Sequence, residues 1–229
     1  MEIIFEDNRL IVLSKACGEI VVLGRNSKEK PLTHVLSEKF GRAVYPVHRL
    51  DKETSGVCLF AKDPETQRLL SHLFETRKIK KTYLALVEGK IEGEGSIETP
   101  LKLFGSGRTG VSKEGKPSVT RYRALCVPCS RSERVPNHLQ GRCCDSAKNG
   151  ERASLLEVSP LTGRRHQIRA HLYSIGHPVL GDNLYGRPSL KATRLMLHAL
   201  SVSIPGENWP EFRAPIPKDF EDFTRALFD

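Results

Sequence analysis

Residues 48–62, HRLDKETSGVCLFAK, join two stretches of opposite character with no spacer between them. The first holds His48, Arg49, Asp51, Lys52 and Glu53 and passes through Thr54-Ser55-Gly56, which reads as a turn. The second, Val57–Ala61, is apolar without a break. So short a run, unbroken rather than alternating, predicts a strand buried on both faces. A charged loop therefore carries one carboxylate, Asp51, between two cations to the start of a buried strand. Directly after the strand, Asp63 suits a helix N-cap and Pro64 a first turn. Leu69, Leu70, Leu73 and Phe74 supply the apolar face of a helix predicted over 63–79.

Elsewhere strand patterns outnumber helical ones. IIFED and RLIVLSK read as a hairpin about Asp7-Asn8, and KTYLALVEG, SVTRYRALCV and ASLLEVSP as further strands. PLTHVLSEKF reads as a helix with Pro31 near its start and Gly41 past its end. The stretch TGRRHQIRAHLYSIG predicts a helix N-capped by Thr162, with Ile168, Leu172 and Ile175 on its apolar side and Gly176 ending it. Arg164 and Arg165 would then lie in its first turn, where the helix dipole favours acids, so their presence asks for an anionic partner. The polar, aperiodic segment from about 128 to 152 reads as a long exposed insertion. At 229 residues the expectation is a single domain over 1–229.

Charge matters through its distribution. The net charge is +9. Between Arg121 and Arg169 there are ten Lys or Arg and four acids, whereas from Gly206 to Asp229 there are three and six. That predicts a basic face of the kind that meets nucleic acid. No apolar run approaches the roughly 18 residues of a membrane span. The start, MEIIFEDNRL, lacks the basic and small-residue marks of a secretory leader, so a cytoplasmic protein is expected. Of six cysteines, Cys58 fits a small buried hydrophobe. Cys126, Cys129, Cys143 and Cys144, with His138, match standard zinc spacings poorly, and no metal is expected.

Five stretches, HRLDKETSGVCLFAK, KTYLALVEG, TGRRHQIRAHL, HPVLGDNLYG and RLMLHA, together resemble the RluA-type family of RNA pseudouridine synthases in order and spacing. The resemblance covers nearly the whole chain. It implies an α+β fold, with a mixed, largely antiparallel central sheet flanked by helices and loops. It implies an isomerase that detaches uracil from C1′ of its ribose, turns it and rejoins it through C5, with no metal or redox cofactor. Asp51 takes the place of the catalytic carboxylate, as in the carboxylate-first step of a retaining glycosidase. Arg169 takes the place of its ion-pair partner, and Tyr83 that of the tyrosine stacked on the target base. His48, Arg49, Arg164, Arg165, His166 and Gln167 are the expected RNA contacts, with Arg49 the candidate to fill the gap left by the flipped uridine. Leu197 is expected to line the uracil pocket.

The chain departs from that pattern at Ala16, where SKACG replaces KPxG, which touches only local loop geometry, and in the insertion. No N-terminal S4-type domain is expected, so the catalytic face itself must recognise an rRNA or tRNA stem-loop, as a monomer without an obligatory protein partner. Two other classes stand beside this reading. One is a non-catalytic RNA-binding or RNA-folding protein on the same scaffold. The other is a glycosidase using Asp51, for which Glu53 is the nearest second carboxylate.

Overall fold

The computed structural model describes residues 1–24, 29–125, 152–186 and 192–228. The expected insertion, apart from Arg152, lies outside them, and with it the four clustered cysteines, His138, Arg131, Arg134 and Arg142. The described residues form twelve strands and four helices, an α+β chain as expected, and none of those helices is long and apolar enough to cross a membrane. The chain forms two compact units, Met1–Lys81 with Ala199–Pro215, and Thr82–His198 with Ile216–Asp229.

In the first unit β1 (Glu2–Glu6) and β2 (Leu10–Lys15) form the expected hairpin. Its turn is fixed by Asp7, whose Oδ1 accepts the N–H groups of Arg9 and Leu10 at 2.8 and 2.7 Å. β2 pairs antiparallel with β4 (Ser55–Ala61), Leu13 opposite Cys58 and Lys15 opposite Gly56. All seven residues of β4 are buried, which the unbroken apolar run requires. β3 (Tyr45–Pro46) pairs with β4 as well.

α1 (Leu32–Phe40) buries Leu32 and Leu36 and ends on Gly41 in the left-handed conformation. α2 (Pro64–Glu75) is N-capped by Asp63, which accepts the Thr66 N–H at 2.7 Å, and it buries Leu70 and Leu73. It stops four residues short of the predicted end. Thr76 Oγ1 bonds back to the His72 carbonyl, Arg77 turns to a left-handed φ of 60°, and Lys78 N–H closes on the Leu73 carbonyl. Leu10, Val12, Val57, Leu59, Leu70, Leu73, Ile79 and Phe212 belong to one core cluster.

The second unit is built on an antiparallel ladder. β5 (Lys80–Glu88), which starts in the first unit, pairs with β10 (Ala153–Pro160); β10 pairs with β9 (Thr120–Ala124) and β9 with β6 (Glu94–Ile97). β7 (Leu101–Leu103) and β8 (Thr109–Val111) make a separate hairpin that packs along α3 (Gln167–Ser174). β11 (Leu197–Ser203) starts in this unit and continues into the first, where β12 (Phe212–Arg213) pairs with it. α4 (Lys218–Phe228) buries Phe220, Thr224 and Leu227.

Candidate active site

The Asp51 loop is held by donors from within its own unit. Lys15 is buried to 1% exposure, and its ammonium donates to the carbonyls of Ala16, Lys52 and Thr54 at 2.9, 3.0 and 2.7 Å. Three donors meet three acceptors, so the charge is solvated by backbone, although burial still pulls its pKa down. Gly18 N–H also reaches the Lys52 carbonyl at 2.8 Å, and Thr54 N–H closes on the Asp51 carbonyl at 3.1 Å. Lys15 and Gly18 of SKACG thus hold the turn that follows Asp51, and Ala16 in the usual proline position leaves it intact. Thr54, Ser55 and Gly56 are buried rather than forming a surface turn. Gly56 has φ +117°, and a Cβ there would lie 2.1 Å from the Ala199 carbonyl oxygen, so only glycine lets the two backbones meet.

On the other side of Asp51, His48 anchors the loop. Its Nε2 accepts the Leu59 N–H at 3.1 Å, while Val47 N–H reaches the Leu59 carbonyl at 3.3 Å. The ring stacks on Phe74 with centroids 4.7 Å apart. Burial, with the nearby Lys81 charge, pushes its pKa down to about 3. His48 is therefore neutral with its proton on Nδ1, an anchor for the loop rather than a cation for RNA. Burial likewise lowers Lys81 to about 8. Arg49 stands exposed, with no acid of the described residues paired to it, and Asp51 is half-buried.

In the second unit Tyr83 sits on β5 opposite Val158, half-buried, and Leu197 begins β11, buried. The segment before α3 differs from the expectation. Thr162 is not the N-cap; its hydroxyl donates to Gln167 Oε1 at 2.7 Å and accepts the Val119 N–H at 3.1 Å. Gln167 Oε1 also accepts the Arg164 N–H, and its amide nitrogen donates to the Val119 carbonyl and Thr120 Oγ1. A side chain with all these bonds at 4% exposure is a structural tie, so Gln167 is withdrawn from the RNA-contact set. Arg164 and Arg165 precede the helix instead of occupying its first turn, and Arg165 is exposed. His166 takes the position before the helix at a left-handed φ of 51°, its Nδ1 3.3 Å from the Tyr185 hydroxyl. His171 is structural, bonded to Thr120 Oγ1 and the Thr99 carbonyl.

Arg169 is buried at 4% exposure and grips a residue that the motifs had left without a role. Its Nε and Nη2 donate to the two oxygens of Asp182 at 2.7 and 2.8 Å. Asp182 Oδ1 accepts the N–H groups of Leu184 and Tyr185 as well, so this carboxylate ties the arginine to the GDNLYG turn. The Tyr185 ring lies 5.3 Å from the guanidinium carbon. A buried arginine needs a counter-charge, and that requirement was the available signal for Asp182. With one guanidinium edge fixed by Asp182, Arg169 is oriented before any substrate arrives.

Comparison with known proteins agrees with this organisation. Residues 9–174 match the family model described as RNA pseudouridylate synthase. A tRNA pseudouridine synthase C of Haemophilus ducreyi is 34% identical over 87% of this chain and 83% of its own. The dual-specificity RNA pseudouridine synthase RluA of Haemophilus influenzae is 33% identical over 89% of this chain and 86% of its own. The solved structure of human RNA pseudouridylate synthase domain containing 1 superposes with a TM-score of 0.73 at 26% identity, over 94% of this chain and 83% of that one. The chain belongs to the RluA family of RNA pseudouridine synthases, isomerases that act on RNA.

Proposed function

We propose that this chain isomerises particular uridines of a structured rRNA or tRNA, with Asp51 as the catalytic carboxylate. The observation that carries this reading is the scaffolding of the Asp51 loop. Lys15 and Gly18 bind the carbonyls on one side and His48 grips β4 on the other, around a single half-buried carboxylate. Such bracing is what a group needs if it is to meet a sugar carbon with little reorganisation.

In this reaction the C1′–N1 bond breaks with its electron pair going to N1, the base turns, C5 bonds to C1′, the C5 hydrogen leaves as a proton and N1 takes up a proton, so the mass is unchanged. Asp51 acts at the sugar. Arg169, oriented by Asp182, is its ion-pair partner on this reading. Tyr83 lies against the uracil ring and Leu197 lines its pocket. Arg49 fills the gap left by the flipped uridine, while Arg164, Arg165 and His166 contact the RNA backbone. The two units serve as one catalytic domain on this reading, which the family match across the Lys81–Thr82 boundary supports. The protein works as a cytoplasmic monomer, without cofactor or obligatory protein partner.

RNA carrying tritium at uridine C5 tests this directly. Wild type should release tritium from unmodified rRNA or tRNA at unchanged RNA mass, and Asp51→Ala should release none. Free uracil among the products would identify a glycosidase instead. Intact RNA binding without release by either protein would identify an RNA-binding protein on this scaffold.

A further inference from the structure

The exposed apolar side chains of the second unit include a group at one end of the β7–β8 hairpin. Phe104 is 45% exposed at the turn and Tyr173, near the end of α3, is 47% exposed. Packing of β8 along α3 brings Arg108 over two rings, its guanidinium carbon 5.7 Å from the Tyr173 centroid and 5.0 Å from that of Tyr185.

The backbone around Arg108 is fixed. Phe104 N–H donates to the Arg108 carbonyl at 2.9 Å, and Gly107 N–H to the Phe104 carbonyl at 2.9 Å. The next residue, Thr109, donates its N–H to the buried Tyr185 hydroxyl at 2.8 Å. The Phe104 ring folds over Gly110, where an added Cβ would lie 3.1 Å from it.

No acid of the described residues pairs with Arg108. Residues 101–116 hold Lys102, Arg108, Lys113 and Lys116 against one acid, Glu114, which pairs with Lys102. Residues 161–174 hold Arg164, Arg165 and Arg169 and no acid. An arginine held near two tyrosine rings by cation–π attraction keeps N–H donors for an anion, and an exposed ring beside it offers a stacking face. Together these are the two components of a single-strand platform, and the charge suits a phosphate chain.

We infer that the β7–β8 turn and the end of α3 form a further RNA contact for one unpaired nucleotide other than the reacting uridine. Phe104 stacks on its base and Arg108, held by Tyr173 and Tyr185, binds its phosphate. This rests on the reading of the chain as an RNA isomerase and names where that RNA is held beyond the reacting base.

Fluorescence anisotropy with labelled oligouridylate at several salt concentrations tests it. Arg108→Ala should weaken binding about tenfold and flatten the slope of log K against log salt by about 0.7, the loss of one phosphate contact to a single strand. Phe104→Ala should weaken binding by a similar factor with the slope unchanged. Arg108→Lys should restore the slope without the full affinity. Wild-type affinity in both alanine variants overturns the proposal, and so does no measurable binding of oligouridylate by the wild type. The tritium assay separates the two readings. Binding through Arg108 with no release from any RNA removes the catalytic reading and leaves this contact standing. Release with binding indifferent to Phe104 and Arg108 does the reverse.

Discussion

At the scale of single residues, the motifs draw attention to charged side chains more readily than to the groups that support them. Asp51, Arg49 and Arg169 stand out as charges that solubility alone does not require, but nothing local in GDNLYG says that Asp182 faces an arginine thirteen residues back. That pair is buried on both sides, with side-chain exposures of 4% and 0%. Asp182→Asn removes the counter-charge and leaves a buried guanidinium half-paired, so it should destabilise the protein by about 3 kcal/mol or more. Urea denaturation measures this, and a loss below about 1 kcal/mol would mean that the pair carries little of the unit's stability. His48 gives a second prediction with a definite sign. Its folded pKa of about 3 lies below the ordinary 6.5, so the unfolded chain binds the extra proton first as pH falls. The stabilisation is complete above pH 6.5 and is lost progressively toward pH 3. His48→Gln retains an acceptor for the Leu59 N–H but cannot take up that proton. It should be less stable at pH 7 through loss of the ring stack, yet lose less Tm than wild type between pH 6.5 and 4. Parallel Tm–pH profiles would contradict this account of His48.

At the scale of elements, the sequence was legible where periodicity decides and misleading where a side chain replaces a backbone bond. β4 and the Asp63-capped α2 followed from an apolar run and a cap. The start of α3 did not, because Gln167, a residue inside the helix, supplies the acceptor for Arg164 N–H that Thr162 was expected to supply. A cap formed from within the helix has no signature at the N-cap position. Lys15 illustrates the same limit in a strand. A lysine at the end of β2 reads as a solvated charge, yet it satisfies the Lys52 and Thr54 carbonyls beyond β4's start, a long-range match that only the β2–β4 register reveals. Lys15→Met leaves those carbonyls without their ammonium and should cost about 2–4 kcal/mol. It should also speed amide exchange at Gly18 and Thr54 well beyond the change in global stability. Exchange at these two amides that follows only the global change would show that the loop does not depend on Lys15.

At the scale of the molecule, the basic excess becomes informative once the paired cations are set aside. Lys62 is matched by Glu6, Lys52 by Glu29, Arg194 by Asp219 and Arg169 by Asp182. Such pairs raise the number of cations but add nothing to the net charge and little to the external field. Arg49, Arg108, Arg164 and Arg165 have no acid partner among the described residues, and of the arginines in that condition, which include Arg42, Arg68, Arg77, Arg121, Arg152 and Arg225, these four lie at or beside the segments proposed to meet RNA. The net charge could hint at a polyanion partner, but the sequence could not say which arginines remain available, because pairing is a tertiary property. If these four each meet one phosphate of a single-stranded region, the slope of log K against log salt should be about −2.8, that is four times −0.7. Replacing all four by glutamine should remove nearly all of that dependence. Replacing Lys52 and Lys62, whose charges are already matched, should change the slope by much less than two further phosphate contacts would. Binding of unfractionated tRNA across a salt series measures both variants. Equal slopes for the two would mean that total charge, rather than these four arginines, governs how this protein holds RNA.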